Sequence, residues 1–445
     1  MDLTSRLRSI VRPSNPAAAV PGDGGRRELT YEPDTGGYEA SLDPERMGEV
    51  LGGRSVRTQF GGCLVIDRRY EADRRHGSIP IADCELGDGS GLKLLDPSLA
   101  APDTPRTIFI DLETTGLSGG AGTVAFLVGC GYFDFGAFQV RQFLLTSFAA
   151  ERALLAAVAE FFDGADLIVT YNGKTFDVPV METRWTFHRM SMPLDGVPHF
   201  DMLHPARRLW SSRAGANPDQ AGCRLSTLER VLFDVNRVGD VPGFQIPSRF
   251  FRFLRTGDPR PLEPVLEHNR LDLVSLAAVT AHAVRLTQSG AEACRDAVEA
   301  LSLGRVYERT GLLDGAEQCY RRASCADAPD VRNEALYRLG LSYRRARRFG
   351  EAARCWRALL ELTERPAARR DSTASALRNF AAEALAIHHE HRDRDLSAAR
   401  ELALFALEEA EGNGRRSDGI RHRIARLERK IARPGDRNSG AQLFS

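Results

Sequence analysis

Apolar and polar positions along this chain fall into three regimes. From about residue 29 to 100, short β-like runs alternate with glycine turns, as in Gly61-Gly62-Cys63-Leu64-Val65-Ile66-Asp67 and Ile79-Pro80-Ile81. From residue 107 the pattern strengthens. Thr107-Ile108-Phe109-Ile110 and Leu167-Ile168-Val169-Thr170 read as buried strands, and residues 124–133 and 138–143 as a hairpin turning over Asp134-Phe135-Gly136-Ala137. Residues 151–162 carry helical spacing, a helix follows the second buried strand to about 190, and His199-Phe200-Asp201 reads as a last strand entering a helix. Residues 226–232 form a further helix, whereas 237–244 hold too much glycine and proline for one. That stretch is either a lid or substrate guide with Arg237 on a phosphate, or a plain surface connection. From about 291 the chain turns alanine-rich and helical, and it repeats itself. Leu303-Gly304, Tyr307, Ala316 and Tyr320 recur 36 residues later as Leu339-Gly340, Tyr343, Ala352 and Trp356. A degenerate third unit is expected in 373–411, then a helix to about 432.

These regimes give a domain plan: a flexible leader over 1–28, a small β-rich lead-in over 29–100 packed on an α/β domain over 101–290, helical repeats over 291–432, and a flexible tail over 433–445. Within the lead-in, Tyr70, Arg74, Arg75 and His76 read as a polar turn, with substrate contact as the alternative.

Chemistry concentrates in three acidic segments. Asp111 and Glu113 end the first buried strand, and alternation puts both on one face. Asp177 closes Tyr171-Asn172-Gly173-Lys174-Thr175-Phe176-Asp177 after the second buried strand. His268 and Asp272 stand four apart in a helical stretch and therefore share a face. Four carboxylates meeting in one place repel unless a cation intervenes. Hard oxygen ligands suit Mg²⁺ or Mn²⁺, and two such ions about 3.5–4 Å apart serve phosphoryl displacement. Asp201 reads as a helix cap, with a fifth acidic ligand as the alternative. The glycine-rich stretch 116–123 lacks the Gly-Lys-Ser/Thr ending and runs into a strand, so a nucleotide-binding P-loop is excluded.

Asp-x-Glu-Thr-Thr-Gly, Asn-x-x-x-Phe-Asp and His-x-x-x-Asp, in this order, resemble the three exonuclease motifs of the DEDD superfamily. The wider context, with helical repeats following, is most similar to the YprB-type bacterial exonucleases, also called MrfB-type. This resemblance implies a ribonuclease H-like mixed sheet with flanking helices, followed by an all-α tetratricopeptide-like domain. It implies a 3′-to-5′ exonuclease in which Asp111, Glu113, Asp177 and Asp272 hold two Mg²⁺ or Mn²⁺ ions and His268 is the general base. Thr114, Thr115, Asn172, Lys174 and Asn269 are the expected substrate contacts. Nucleic acid is the expected substrate, DNA before RNA, with a role in DNA repair and a helicase or other repair protein as partner through the repeats. An endonuclease with the same site, or an inactive scaffold acting through its repeats, are the rival readings. One departure stands out: the histidine branch of the superfamily places its base five positions before the last aspartate, where this chain has Glu267, and His268 sits at the tyrosine branch's four.

Composition refines the picture modestly. The 445 residues carry no net charge, so affinity for a polyanion must come from local patches. One candidate is 331–370, with eleven arginines against four glutamates; a phosphate-binding face and a protein-binding face are both open. Lysine occurs only at 93, 174 and 430, which draws attention to Lys174 inside the second acidic segment. Eight scattered cysteines without Cys-x-x-Cys fit reduced thiols in a cytoplasmic protein and argue against a zinc site. The first residues lack an apolar core of signal-peptide length, and no run approaches a membrane span.

Overall fold

The computed structural model describes residues 44–116, 122–211, 223–363, 372–412 and 417–432. The expected leader and tail, part of the lead-in, and much of the glycine-rich stretch lie outside these residues. Ala40–Ser445 forms one compact unit.

Its centre is a seven-stranded mixed sheet in the order β1-β2-β7-β6-β5-β8-β9. The strands are β1 (Arg54–Thr58), β2 (Gly61–Tyr70), β5 (Thr107–Thr114), β6 (Ala125–Asp134), β7 (Ala137–Leu144), β8 (Leu167–Thr170) and β9 (His199–Asp201). Arg75–His76 (β3) pairs with Ile79–Pro80 (β4) in a separate two-stranded ribbon. β5, β6 and β7 are antiparallel, and β8 and β9 add in parallel beside β5. The expected hairpin forms over Phe135 and Gly136, both with positive φ (48° and 73°), the backbone that joins two twisted strands through two residues. β2 pairs along β7 from Leu64↔Leu144 to Tyr70↔Phe138, so the segment before residue 101 supplies two strands of the central sheet. His76, expected in a polar turn, is instead buried, with its Nε2 2.8 Å from Ser275 Oγ.

Each face of the sheet buries its own core. Ile108, Ile110 and Leu112 of β5 pack with Leu154, Val158, Val180 and Phe250, which come from the helices Glu151–Phe162, Asp177–Phe187 and Ile246–Thr256. Phe109 packs on the opposite face with Leu273, Leu276 and Ala277 of the long helix Glu263–Ser289. This second core continues into the repeats, taking in Leu301, Leu303, Tyr320, Leu339, Trp356 and Leu385. Trp210 marks the join: its ring is fully buried and its Nε1 donates to Glu299 Oε1 at 2.8 Å.

The repeats are antiparallel helix pairs: Ala297–Thr310 with Leu313–Ala323, Pro329–Arg345 with Phe349–Thr363, and Ser372–His388 with Leu396–Gly412, closed by Asp418–Ala432. The 36-residue recurrence has a packing cause. A Cβ at Gly304 would stand 2.5 Å from Tyr320 Cε1, and one at Gly340 would stand 2.4 Å from Trp356 Nε1. Each pair closes only where the first helix offers bare backbone to the aromatic ring of the second.

Candidate active site

Each acidic side chain is placed for a local reason. Alternation along β5 turns Asp111 and Glu113 toward the long helix, on the face of Phe109. Asp177 is the first residue of its helix, where the exposed backbone N–H groups favour a carboxylate. His268, Asn269 and Asp272 belong to the long helix, which crosses β5, β6 and β7.

The four acids lie within one another's electric field. Burial pushes the Asp111 carboxyl well above the usual range; the charges of Asp272, Glu113 and Asp177 add to that push, and the hydrogen bond from Asn269 opposes it. Glu113 is raised in the same way, by burial and then by Asp272, Asp177 and Asp240. Asp177 is pushed up to about 7 by burial and by Asp201, against hydrogen bonds from its own backbone and that of Leu112. Both Asp111 and Glu113 are half-buried rather than sealed off from solvent.

Asn269 organises the strand side. Fully buried, it donates from Nδ2 to Asp111 Oδ2 at 2.8 Å and to the Asp111 carbonyl at 3.1 Å. Gln142 of β7, also fully buried, donates to Asn269 Oδ1 at 2.8 Å and to the Leu266 carbonyl at 2.9 Å. These contacts need bare backbone at Gly129, where a Cβ would stand 2.1 Å from Asn269 Oδ1.

The loop side holds an arginine. Arg237, whose side chain is 7% exposed, grips Glu229 with Nε at 2.7 Å and Nη2 at 2.8 Å. The same Nη2 reaches Asp272 Oδ1 at 2.6 Å, and Nη1 lies 3.3 Å from Asp240 Oδ2. Glu229 also accepts from Ser275 Oγ, which links the cluster to His76. Burial lowers His76 to about 4, with Arg237 and Arg74 adding to the effect, so its ring is neutral. His268 sits between two acids, Nδ1 2.7 Å from Asp240 Oδ1 and Nε2 3.5 Å from Asp272 Oδ2. Burial raises the Asp240 carboxyl, but the hydrogen bond from His268 and the charges of His268 and Arg237 outweigh it and leave the acid below its ordinary value.

The expected substrate contacts separate into two groups. Thr114 donates to the Gly116 carbonyl at 2.8 Å, Thr115 Oγ1 accepts the Val124 N–H at 3.0 Å, and Asn269 is committed to Asp111. Asn172 and Lys174 are exposed, with Lys174 Nζ 3.5 Å from Asp96 Oδ2. Asp201 accepts the backbone N–H groups of Asn172 at 2.8 Å, Lys174 at 3.1 Å and Leu203 at 3.0 Å. It therefore fixes the turn before Asp177 as well as capping a helix. Gln142 carried a readable trace, a polar residue inside an otherwise apolar strand. Asp240 and Glu229 had none.

Among the described residues, no group of three or more His, Cys, Asp or Glu side chains is arranged to hold a metal ion. The donor chemistry nevertheless suits hard divalent cations. Among the described residues no basic side chain pairs with Asp111, Glu113 or Asp177, so three crowded carboxylates lack a counter-charge.

This meander with parallel additions and acids beside its central strand defines a ribonuclease H-like domain, and the RNase_H superfamily model matches residues 108–284. The Tetratricopeptide repeat model matches 333–366. The chain is 31% identical over 378 residues to the protein YprB of Bacillus subtilis (strain 168), covering 83% of this chain and 86% of that one. It belongs to the YprB family, a ribonuclease H-like nuclease fold followed by tetratricopeptide repeats. Among solved structures, the family B DNA polymerase from the hyperthermophilic archaeon Pyrobaculum calidifontis aligns with 56% of this chain and 30% of its own at 16% identity, with a TM-score of 0.33. That likeness is too loose to bear on function.

Proposed function

We propose that this chain is a metal-dependent 3′-to-5′ exonuclease acting on nucleic acid, DNA before RNA, in DNA repair. The observation that carries the reading is that acids from three distant segments lie close enough for their charges to oppose each other. Asp111, Glu113, Asp177 and Asp272 are the residues that would hold two Mg²⁺ or Mn²⁺ ions, which supply counter-charge and Lewis acidity at the scissile phosphate when bound. His268 takes a proton from the attacking water through Nε2. Water oxygen joins phosphorus as the bond to the 3′ oxygen breaks, and that oxygen takes a proton from solvent to leave as a hydroxyl. Asn269 and Gln142 hold Asp111 in place, and Arg237 holds Asp272. Asn172 and Lys174, exposed beside Asp177, meet the substrate backbone, while Thr114 and Thr115 are engaged with the Gly116 carbonyl and the Val124 N–H.

Recruitment falls to the repeats. Arg338, Arg345 and Arg348 are spent on neighbouring glutamates, which favours a protein partner, a helicase or other repair protein, over a second nucleic-acid face. Eight free cysteines suit a reducing cytoplasm, and no helix among the described residues is long and apolar enough to cross a membrane.

Degradation of 5′-labelled single- and double-stranded DNA and RNA, with Mg²⁺, with Mn²⁺ and with chelator, tests the reading. A cation-dependent ladder shortening from the 3′ end is expected. Discrete internal fragments without a ladder would assign the same site to an endonuclease. No cleavage of any substrate would remove the enzymatic reading.

A further inference from the structure

Asp240 belongs to none of the three acidic segments. It lies in the loop between the helices Leu225–Phe233 and Ile246–Thr256, yet it makes the shortest polar contact to His268. Its Oδ1 stands 2.7 Å from His268 Nδ1 and also accepts the Val241 N–H at 2.8 Å. Its Oδ2 faces Arg237 Nη1 at 3.3 Å, and Arg237 is itself locked on the buried Glu229. Asp240 is thus fixed from three sides although its loop is rich in glycine and proline.

A carboxylate can only accept, so the ring nitrogen facing it must carry the proton. To act as a base the ring must be neutral; a neutral imidazole has one proton to give, and two acids compete for it here. Asp272 Oδ2, at 3.5 Å from Nε2, is beyond a good hydrogen bond; Asp240 Oδ1, at 2.7 Å from Nδ1, is within one. Distance decides for Nδ1. We propose that Asp240 is a positioning residue for the nuclease reaction: it holds His268 in the Nδ1–H tautomer and leaves the Nε2 lone pair facing the carboxylate cluster. Had Asp272 taken the proton instead, Nε2 would be a donor and could not act as a base. The inference rests on the assignment of His268 as the general base.

The test uses the full chain labelled with ¹⁵N-histidine, in chelator, over a pH series carried up until the ¹⁵N shifts themselves report a singly protonated ring. The His268 signals are identified by their loss in His268→Gln. In the wild-type protein Nδ1 should carry the proton and Nε2 should show the shift of an unprotonated nitrogen. Asp240→Ala should release the ring to the Nε2–H form, and Asp240→Asn, whose side-chain oxygen can still accept from Nδ1, should retain the wild-type tautomer. In turnover assays Asp240→Ala should lower kcat roughly 10–100-fold with KM nearly unchanged, and Asp240→Asn should recover most of the loss. A protonated Nε2 in the wild-type chain would overturn the proposal without any variant, as would an unchanged tautomer in Asp240→Ala. The spectra need neither metal nor substrate. A wild-type chain with the expected tautomer but no hydrolysis would therefore count against the nuclease reading and not against the Asp240–His268 pair.

Discussion

Asp177 shows how one residue carries opposing demands. Burial and Asp201 hold its folded carboxyl up to about 7, whereas an unfolded aspartate releases its proton near 4. Between those values the metal-free folded chain binds more protons than the unfolded one, so stability is fullest below about pH 4 and is lost as pH rises through about 7. Asp177→Asn removes that burden. In chelator at about pH 8 its Tm should exceed that of the wild type by roughly 1–3 °C, with the gap closing toward about pH 4, as scanning calorimetry across pH would show. The same change should abolish hydrolysis; a variant that keeps a tenth of the activity would place Asp177 outside the chemistry. His268→Ala should slow turnover by roughly 10²–10⁴-fold while leaving cation binding, measured calorimetrically, largely intact. An unchanged rate would reduce His268 to a helix-surface residue. At this scale the acids were legible because strand alternation and helix spacing put their side chains on shared faces. Asp240 was not, and Arg237 was read as a phosphate contact or a surface residue rather than a partner of Asp272, since glycine and proline around them speak only of the backbone and nothing local says that the loop folds inward.

Between elements, the decisive contact is the long helix pressed on β6 at Gly129. A methyl group there collides with Asn269, which orients Asp111, so the consequence should be chemical as well as structural. Gly129→Ala should cost about 1–3 kcal/mol in denaturant unfolding, as overpacking does, and reduce kcat by more than the loss of folded protein explains. Wild-type kcat with wild-type stability would show that the helix slides without disturbing the site. Periodicity announced the hairpin, the long helix and the recurring repeats, whose glycine and aromatic positions answer one another across a helix pair. It did not announce that β2 pairs with β7, because register between strands some seventy residues apart is settled by tertiary packing rather than by local pattern.

Composition changes near residue 291, but the core does not. Trp210, fully buried, hydrogen-bonds Glu299 of the first repeat helix, and Tyr307 donates to the Thr287 carbonyl at 2.7 Å. Removing residues 291–445 would uncover that surface and strand these polar groups. The shortened chain should therefore be poorly soluble or bind a hydrophobic dye; a cooperative unfolding transition with full activity on a short oligonucleotide would show that the first core suffices.

The arginines of the repeats allow a finer separation of roles, because several that stand in excess along the sequence meet carboxylates in space. In space Arg345 pairs with Glu308 at 2.6 Å, and Arg348 lies 2.9 Å from Glu317 while also holding Glu351. Arg344 instead stacks over Trp356 and Phe380. A phosphate would have to compete with a carboxylate or an aromatic face at each of the three positions. Changing Arg344, Arg345, Arg347 and Arg348 together to Gln should then lower thermal stability, since the pairs tie successive helices, yet leave nucleic-acid affinity and its salt dependence nearly unaltered. If these side chains contact phosphates, each lost contact should flatten the slope of log K against log salt by about 0.7–0.9, a drop of roughly 3 for four contacts. Titrations at several salt concentrations resolve a difference of that size, and a slope reduced by that much would give the repeats a direct hold on the substrate.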